Sequence, residues 1–139
     1  EKDTHTVEEF RKKLDCDLAF MDYYVAVYVS AKTGQRLEKV LDTAEKSLEN
    51  ARRRITTGTL NDVIADAVRM TEPPSKKGRR LKIYYSTQEG VEPPTFIIFV
   101  NNKDLVHFSY KRYLENIIRK TFDFSGTPIR IFFREKEEE

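Results

Sequence analysis

"LKIYYSTQEGVEPPTFIIFV", residues 81–100, holds two strands and the loop between them. In the first half Leu81, Ile83 and Tyr85 alternate with Lys82, Tyr84 and Ser86. That period of two marks a strand with one face on a core and the other in water. The second half, TFIIFV at 95–100, does not alternate and reads as a strand covered on both faces. Glu92-Pro93-Pro94 ends the loop that joins them.

Working outward, Ser109 caps a helix whose core side carries Tyr110, Tyr113, Leu114, Ile117 and Ile118. Gly126-Thr127-Pro128 then turns the chain into IRIFFR, with Ile129, Ile131 and Phe133 on one face and Arg130, Phe132 and Arg134 on the other. Upstream, Thr59 is an N-cap with Asp62 three residues on, and Leu60, Val63, Ile64, Ala67 and Val68 form one helical face. Pro73-Pro74 closes that helix. The order from residue 59 is therefore α-β-β-α-β. It predicts an α+β domain: a small mixed sheet of three strands, covered by helices on one face.

Earlier in the chain, residues 24–29 are a short β-prone run, followed by a turn at Thr33-Gly34. A long amphipathic helix comes next, with Leu37, Val40, Leu41, Ala44, Leu48, Ala51 and Ile55 on its apolar face. Phe10, Leu14, Leu18 and Met21 give residues 8–21 helical spacing. Thr56-Thr57-Gly58 breaks the pattern, which sets a domain boundary between 1–57 and 58–139. The strand at 24–29 belongs in the middle of a sheet whose other strands this sequence does not contain. As an exposed apolar edge it is expected to pair with a second copy, to fold back on the helix behind it, or to fray. The acidic end, Glu135 to Glu139 but for Lys136, is expected to be a frayed tail.

Of the 139 residues, 39% are hydrophobic and 35% charged, the balance of a soluble protein with a charged surface. A net charge of +2 is too small to point to nucleic acid by itself, so the placement of the charges decides. Cys16 is the one cysteine. It excludes an internal disulfide, fits a reducing cytoplasm, and is expected as a small buried side chain. No apolar run has the length of a membrane span, and no charged-then-apolar leader suggests export. Glu1 in first place, with no methionine, hints at a shortened or processed chain.

His5 and His107 are far apart, with no cysteine or histidine at metal-ligand spacing. His107 is expected to start or cap a helix. No nucleophile, base and orienting group come together, so no independent enzyme is expected. Ser30-Ala31-Lys32 has the residue types of a guanine-binding loop. Ala31 would offer a backbone N–H, Lys32 a stem along the ring, and Ser30 a hydroxyl to pin the turn. The bland alternative is a strand-to-helix turn eased by Gly34, but the apolar strand before and the amphipathic helix after favour the guanine loop. No Gly-x-x-x-x-Gly-Lys-Ser/Thr loop is present to cradle phosphates. NNKDL at 101–105 puts Asp104 one residue too early for the guanine-reading Asn-Lys-x-Asp motif and reads as a polar turn.

Basic residues cluster at Lys76, Lys77, Arg79, Arg80 and Lys82, while Arg112, Arg119 and Lys120, with Lys111 beside them, are expected on the outer face of the Ser109 helix. Arg130 and Arg134 lie on the outer side of the last strand. Such an array can meet a structured RNA backbone, with tyrosines available to stack, or can simply be a solvated face.

PPTFIIFVN, HFSYKRYLEN and GTPIRIFFR, together with the basic turn and LKIYYSTQ, closely resemble the C-terminal end of the double-GTPase family Der, also called EngA. The resemblance covers essentially the whole chain. It implies the end of a second P-loop GTPase domain, an α-β-α remnant at 1–57, followed by a K-homology-like domain at 58–139. By the same resemblance Ser30, Ala31 and Lys32 are guanine-loop residues. GTP and magnesium belong to the parent protein and no cofactor to this chain, which is expected to be inactive alone. The implied role is maturation of the bacterial large (50S) ribosomal subunit in the cytoplasm. The domain would dock on ribosomal RNA and on the GTPase domains of the same protein, or on the latter chiefly. The Gly-x-x-Gly clamp of most K-homology domains is missing here, which leaves contacts of shape and charge.

Overall fold

Strand β4, Thr95–Val100, lies in the middle of a three-stranded sheet. It pairs antiparallel with β3, Ile83–Gly90, and parallel with β5, Arg130–Glu135. Phe96, Ile98 and Val100 are buried in the core and Ile97 is buried as well, but Phe99 is only half-buried, so the apolar run is fully covered on one face and partly on the other. The computed structural model describes residues 4–136. The expected tail reaches into 137–139, which lie outside the described residues.

Helices α3, Thr57–Met70, and α4, Phe108–Thr121, contribute to the core that covers one face of the sheet. Leu60, Ile64 and Ala67 project from α3; Tyr110, Leu114 and Ile118 project from α4. Each buried Leu or Ile side chain stabilises the fold by about 1.5–3 kcal/mol. The Tyr110 hydroxyl donates to Thr71 O at 2.8 Å and that of Tyr113 to Ala67 O at 2.7 Å, so the buried Tyr110 and the half-buried Tyr113 keep partners for their polar ends. Burial pushes the Tyr110 hydroxyl up to about 12. This is the mixed sheet, covered on one face, that the order α-β-β-α-β predicts.

Several details differ from the sequence reading. Helix α3 begins two residues before Thr59, because Thr56 is the N-cap and accepts from Thr59 N. Helix α4 begins before Ser109: His107 Nδ1 is the acceptor and Ser109 N the donor, at 3.2 Å. Strand β3 does not keep its alternation, since the register slips between Ile83 and Tyr85. The slip turns Ser86 and Gln88 inward, where both are buried, and leaves Tyr85 outside. Cys16, on α1 (Thr4–Asp17), is exposed rather than buried.

No strand forms over residues 24–29. A ladder needs a neighbouring strand, and the bridge nearby joins Ser30 to Gln35. Helix α2, Leu37–Ala51, shows the same want of a neighbour. Val40, Leu41 and Leu48, on the face expected to be apolar and covered, are exposed, Leu41 by 71%.

Candidate nucleic-acid interface and guanine loop

Five of the predicted cations sit on or next to one small hairpin. β1, Ser75–Lys76, pairs antiparallel with β2, Arg79–Arg80. Lys77 and Gly78 make the turn with φ of 51° and 74°. Positive φ at both turn residues gives the backbone twist that matches two antiparallel strands, and glycine takes it without strain. Side chains from the domain then fix the base of the hairpin. Asn101 Oδ1 accepts from Lys82 N at 2.9 Å, and its Nδ2 donates to Arg80 O at 3.2 Å. Lys76 Nζ donates to Asp104 O at 2.9 Å, on the short 3₁₀ turn Lys103–Leu105 that leads into α4. Arg80 pairs with Glu72 at 2.8 Å. Lys77, Arg79 and Lys82 are exposed and form no ion pair among the described residues.

Two of the cations of α4, Arg119 and Lys120, stand apart from this group. Arg119 points inward, with its side chain only 13% exposed. Its guanidinium donates to Phe124 O and Thr127 O at 3.2 Å and lies 4.8 Å from the centre of the Tyr23 ring. Arg112, seven positions earlier on the same face, is 4.0 Å from Asp22. Arg119, expected on the outer face, therefore corrects to a structural residue that faces the segment preceding residue 24, whereas the side chain of Arg112 stays exposed. Lys120 is exposed, but it stands roughly 18 Å along α4 from the first residue, away from the hairpin end.

Beyond its being polar at the end of a buried strand, nothing in the sequence pattern marks Asn101 as the pin of the hairpin. It also hid a junction between α2 and the sheet domain. Asn50 is fully buried, and its Nδ2 donates to Ser125 O at 2.9 Å. Arg53 Nε donates to Asp123 O, and Gln88 Oε1 accepts from Ile55 N at 2.7 Å. Gly126 N donates to Tyr23 O at 2.7 Å. A Cβ at Gly126 would overlap the Ser47 side chain, so glycine lets α2 and the loop approach this closely. Asp123 accepts from the Ser125 hydroxyl and amide; these bonds, with Lys46 and Arg53 nearby, hold its carboxyl below the usual range.

At the other end of α2, Ser30 Oγ accepts from Thr33 N at 3.3 Å and Ser30 N donates to Gln35 O at 3.0 Å. Gly34 and Arg36 both take positive φ. Ala31 and Lys32 are left exposed at the tip. Among the described residues no group of three His, Cys, Asp or Glu could hold a metal ion. No described helix is long and apolar enough to cross a membrane.

A mixed three-stranded sheet, with helices packed on one face and the order α-β-β-α-β, defines a K-homology-like domain. Comparison of the sequence with known families sharpens this. The model of the KH-domain-like C-terminal domain of EngA bacterial GTPase enzymes matches residues 54–134, and the chain belongs to that family. Among curated proteins it is similar to the GTPase Der of Clostridium botulinum strain Langeland, 54% identical over 99% of this chain and 31% of the relative. The GTPase Der of Ruminiclostridium cellulolyticum is 52% identical over 100% of this chain and 32% of its own. That of Clostridium acetobutylicum is 53% identical over 99% and 31%. The chain thus spans about a third of the length of the curated relatives it matches, and aligns with the C-terminal part of a GTPase.

Proposed function

We propose that the chain is the C-terminal portion of a cytoplasmic GTP-binding factor in maturation of the large (50S) ribosomal subunit. Residues 58–139 form its K-homology-like domain, which docks on ribosomal RNA and on a GTPase domain of the same protein. Residues 1–57 are the end of the second GTPase domain, with Ser30, Ala31 and Lys32 in its guanine loop. GTP and magnesium are held by other parts of the full protein. No step of GTP hydrolysis is assigned to this chain.

The observation that carries the reading is the hairpin. Five cations stand on or beside it, and Lys77, Arg79 and Lys82 stay free of acidic partners among the described residues. Binding of the chain to a large-subunit ribosomal RNA fragment over a salt series tests it. Neutralising about four phosphates gives log K a slope of roughly −3 to −4 against log salt. Replacing Lys76, Lys77, Arg79 and Arg80 together by alanine is expected to weaken binding and flatten the slope. Equal affinity and slope would remove the hairpin from the RNA account.

One observation favours the second reading, a module that mainly contacts a GTPase domain. The outer face of the sheet is aromatic: Tyr85 stacks on Phe99 at 4.4 Å, and Phe132 is 49% exposed. Phe132→Ala would then loosen the domain contact and leave RNA affinity unchanged.

A further inference from the structure

The β1–β2 hairpin has a fixed shape and a free tip. Asn101 ties down both Lys82 N and Arg80 O, and Lys76 is held on Asp104 O. Lys76 and Arg80 are engaged in that support, which leaves Lys77 and Arg79 as the cations at the end. All four hairpin strand residues are exposed, and neither they nor the turn include an aromatic side chain. Recognition of single strands relies on rings that stack on splayed bases. A prong with cations and no ring instead reads the position of phosphates, which a duplex holds at fixed spacing.

We propose that the hairpin is a preshaped clamp for the phosphate backbone of double-stranded RNA. Lys77 and Arg79 make the contacts, and Asn101 is the positioning residue that sets their direction. The clamp rests on the RNA-binding function proposed above and adds to it the class of RNA and the device that holds it. A hairpin already in shape avoids the ordering cost that a mobile basic loop meets on binding.

Two kinds of variant separate shape from charge. Lys77→Ala with Arg79→Ala removes charge. Asn101→Ala and Gly78→Val keep every charge and disturb the shape. At Gly78 an added Cβ meets nothing within 4 Å, so valine acts through its positive φ of 74° and not through a clash. The chain and its variants are titrated against a duplex RNA of roughly 20 base pairs, near the span of a duplex-binding domain, and against one strand of it. Thermal melting checks that each variant is folded; if Asn101→Ala is not, Gly78→Val carries the test.

The duplex is expected to bind at least fivefold more tightly than the single strand. The charge variant should lose tenfold or more on the duplex. The shape variants should lose threefold or more, with the salt slope unchanged. Shape variants that bind duplex like the native chain, or a single strand that binds as well as duplex, would overturn the clamp. If charge removal still weakened binding in that case, RNA binding itself would stand. If every variant bound like the native chain, both would fall.

Discussion

The guanidinium of Arg119 lies 4.8 Å from the centre of the Tyr23 ring, joining α4 to the segment ahead of residue 24. The same group holds the carbonyls of Phe124 and Thr127. Arg119→Ala leaves these carbonyls without their charged donor and is expected to destabilise the chain by about 2–4 kcal/mol. Urea unfolding of the two proteins measures it. A change below about 0.5 kcal/mol, the range of ordinary surface substitutions, would return Arg119 to the surface cations.

Gly126→Ala sets a side chain against Ser47 at a backbone φ of 79°. The strain and the overlap together are expected to cost about 2–4 kcal/mol. Ser47→Gly in the same chain removes the overlapping hydroxyl and should restore part of the loss, leaving the share due to φ. A double-mutant cycle with no coupling between the two positions would contradict the close approach.

Asp123 titrates below its ordinary range because the Ser125 hydroxyl and amide, then Lys46 and Arg53, favour the carboxylate. The folded pKa is the lower one. Its contribution is therefore complete above the unfolded value of about 3.9 and is lost as the pH falls through the folded value. Asp123→Ala should be less stable than the native chain at pH 7, with the difference shrinking steadily below about pH 4. A difference independent of pH would mean that the carboxylate charge is not what matters there.

GDP with magnesium should bind only weakly. The loop at Ser30 to Lys32 can supply a backbone donor and a stacked stem at about 1 kcal/mol each, against the roughly 8 kcal/mol of micromolar affinity. Calorimetry giving a dissociation constant at or below ~10 μM, or about 7 kcal/mol, would show a binding surface beyond this loop.

Amides 25–29 donate no backbone hydrogen bond among the described residues, whereas β4 has partners on both sides. Hydrogen exchange of 25–29 in the monomer should be orders of magnitude faster than that of 95–100. Protection that appears only as concentration rises would identify pairing with a second copy, one of the three fates open to this apolar edge.

What was legible in the sequence follows the range of each interaction. TFIIFV and the spacing of Leu114 and Ile118 encode burial locally, so the sheet, its central strand and the helix faces could be read. The slip after Ile83 could not be, because it depends on how β3 meets β4, and it moved Ser86 and Gln88 to the inside. Arg112 and Arg119 were correctly read as sharing a face of α4. What lies against that face is set by Asp22 and Tyr23, ninety or more positions away. Cys16 was placed by the average habit of cysteine and not by a pattern. The hairpin cations were legible as a cluster, but which of them are engaged depends on Glu72, Asn101 and Asp104 together.

The buried amide of Asn50 makes α2 a lever with one end fixed. Fifteen residues of helix span about 22 Å from the Ser30 turn to the sheet domain. With Asn50 as fulcrum, a sideways shift of about 1 Å at Leu37 swings the helix by only about 3°. So small an angle is within what a packed joint can absorb without releasing Asn50. A larger swing must carry the sheet domain with it, as one rigid arm.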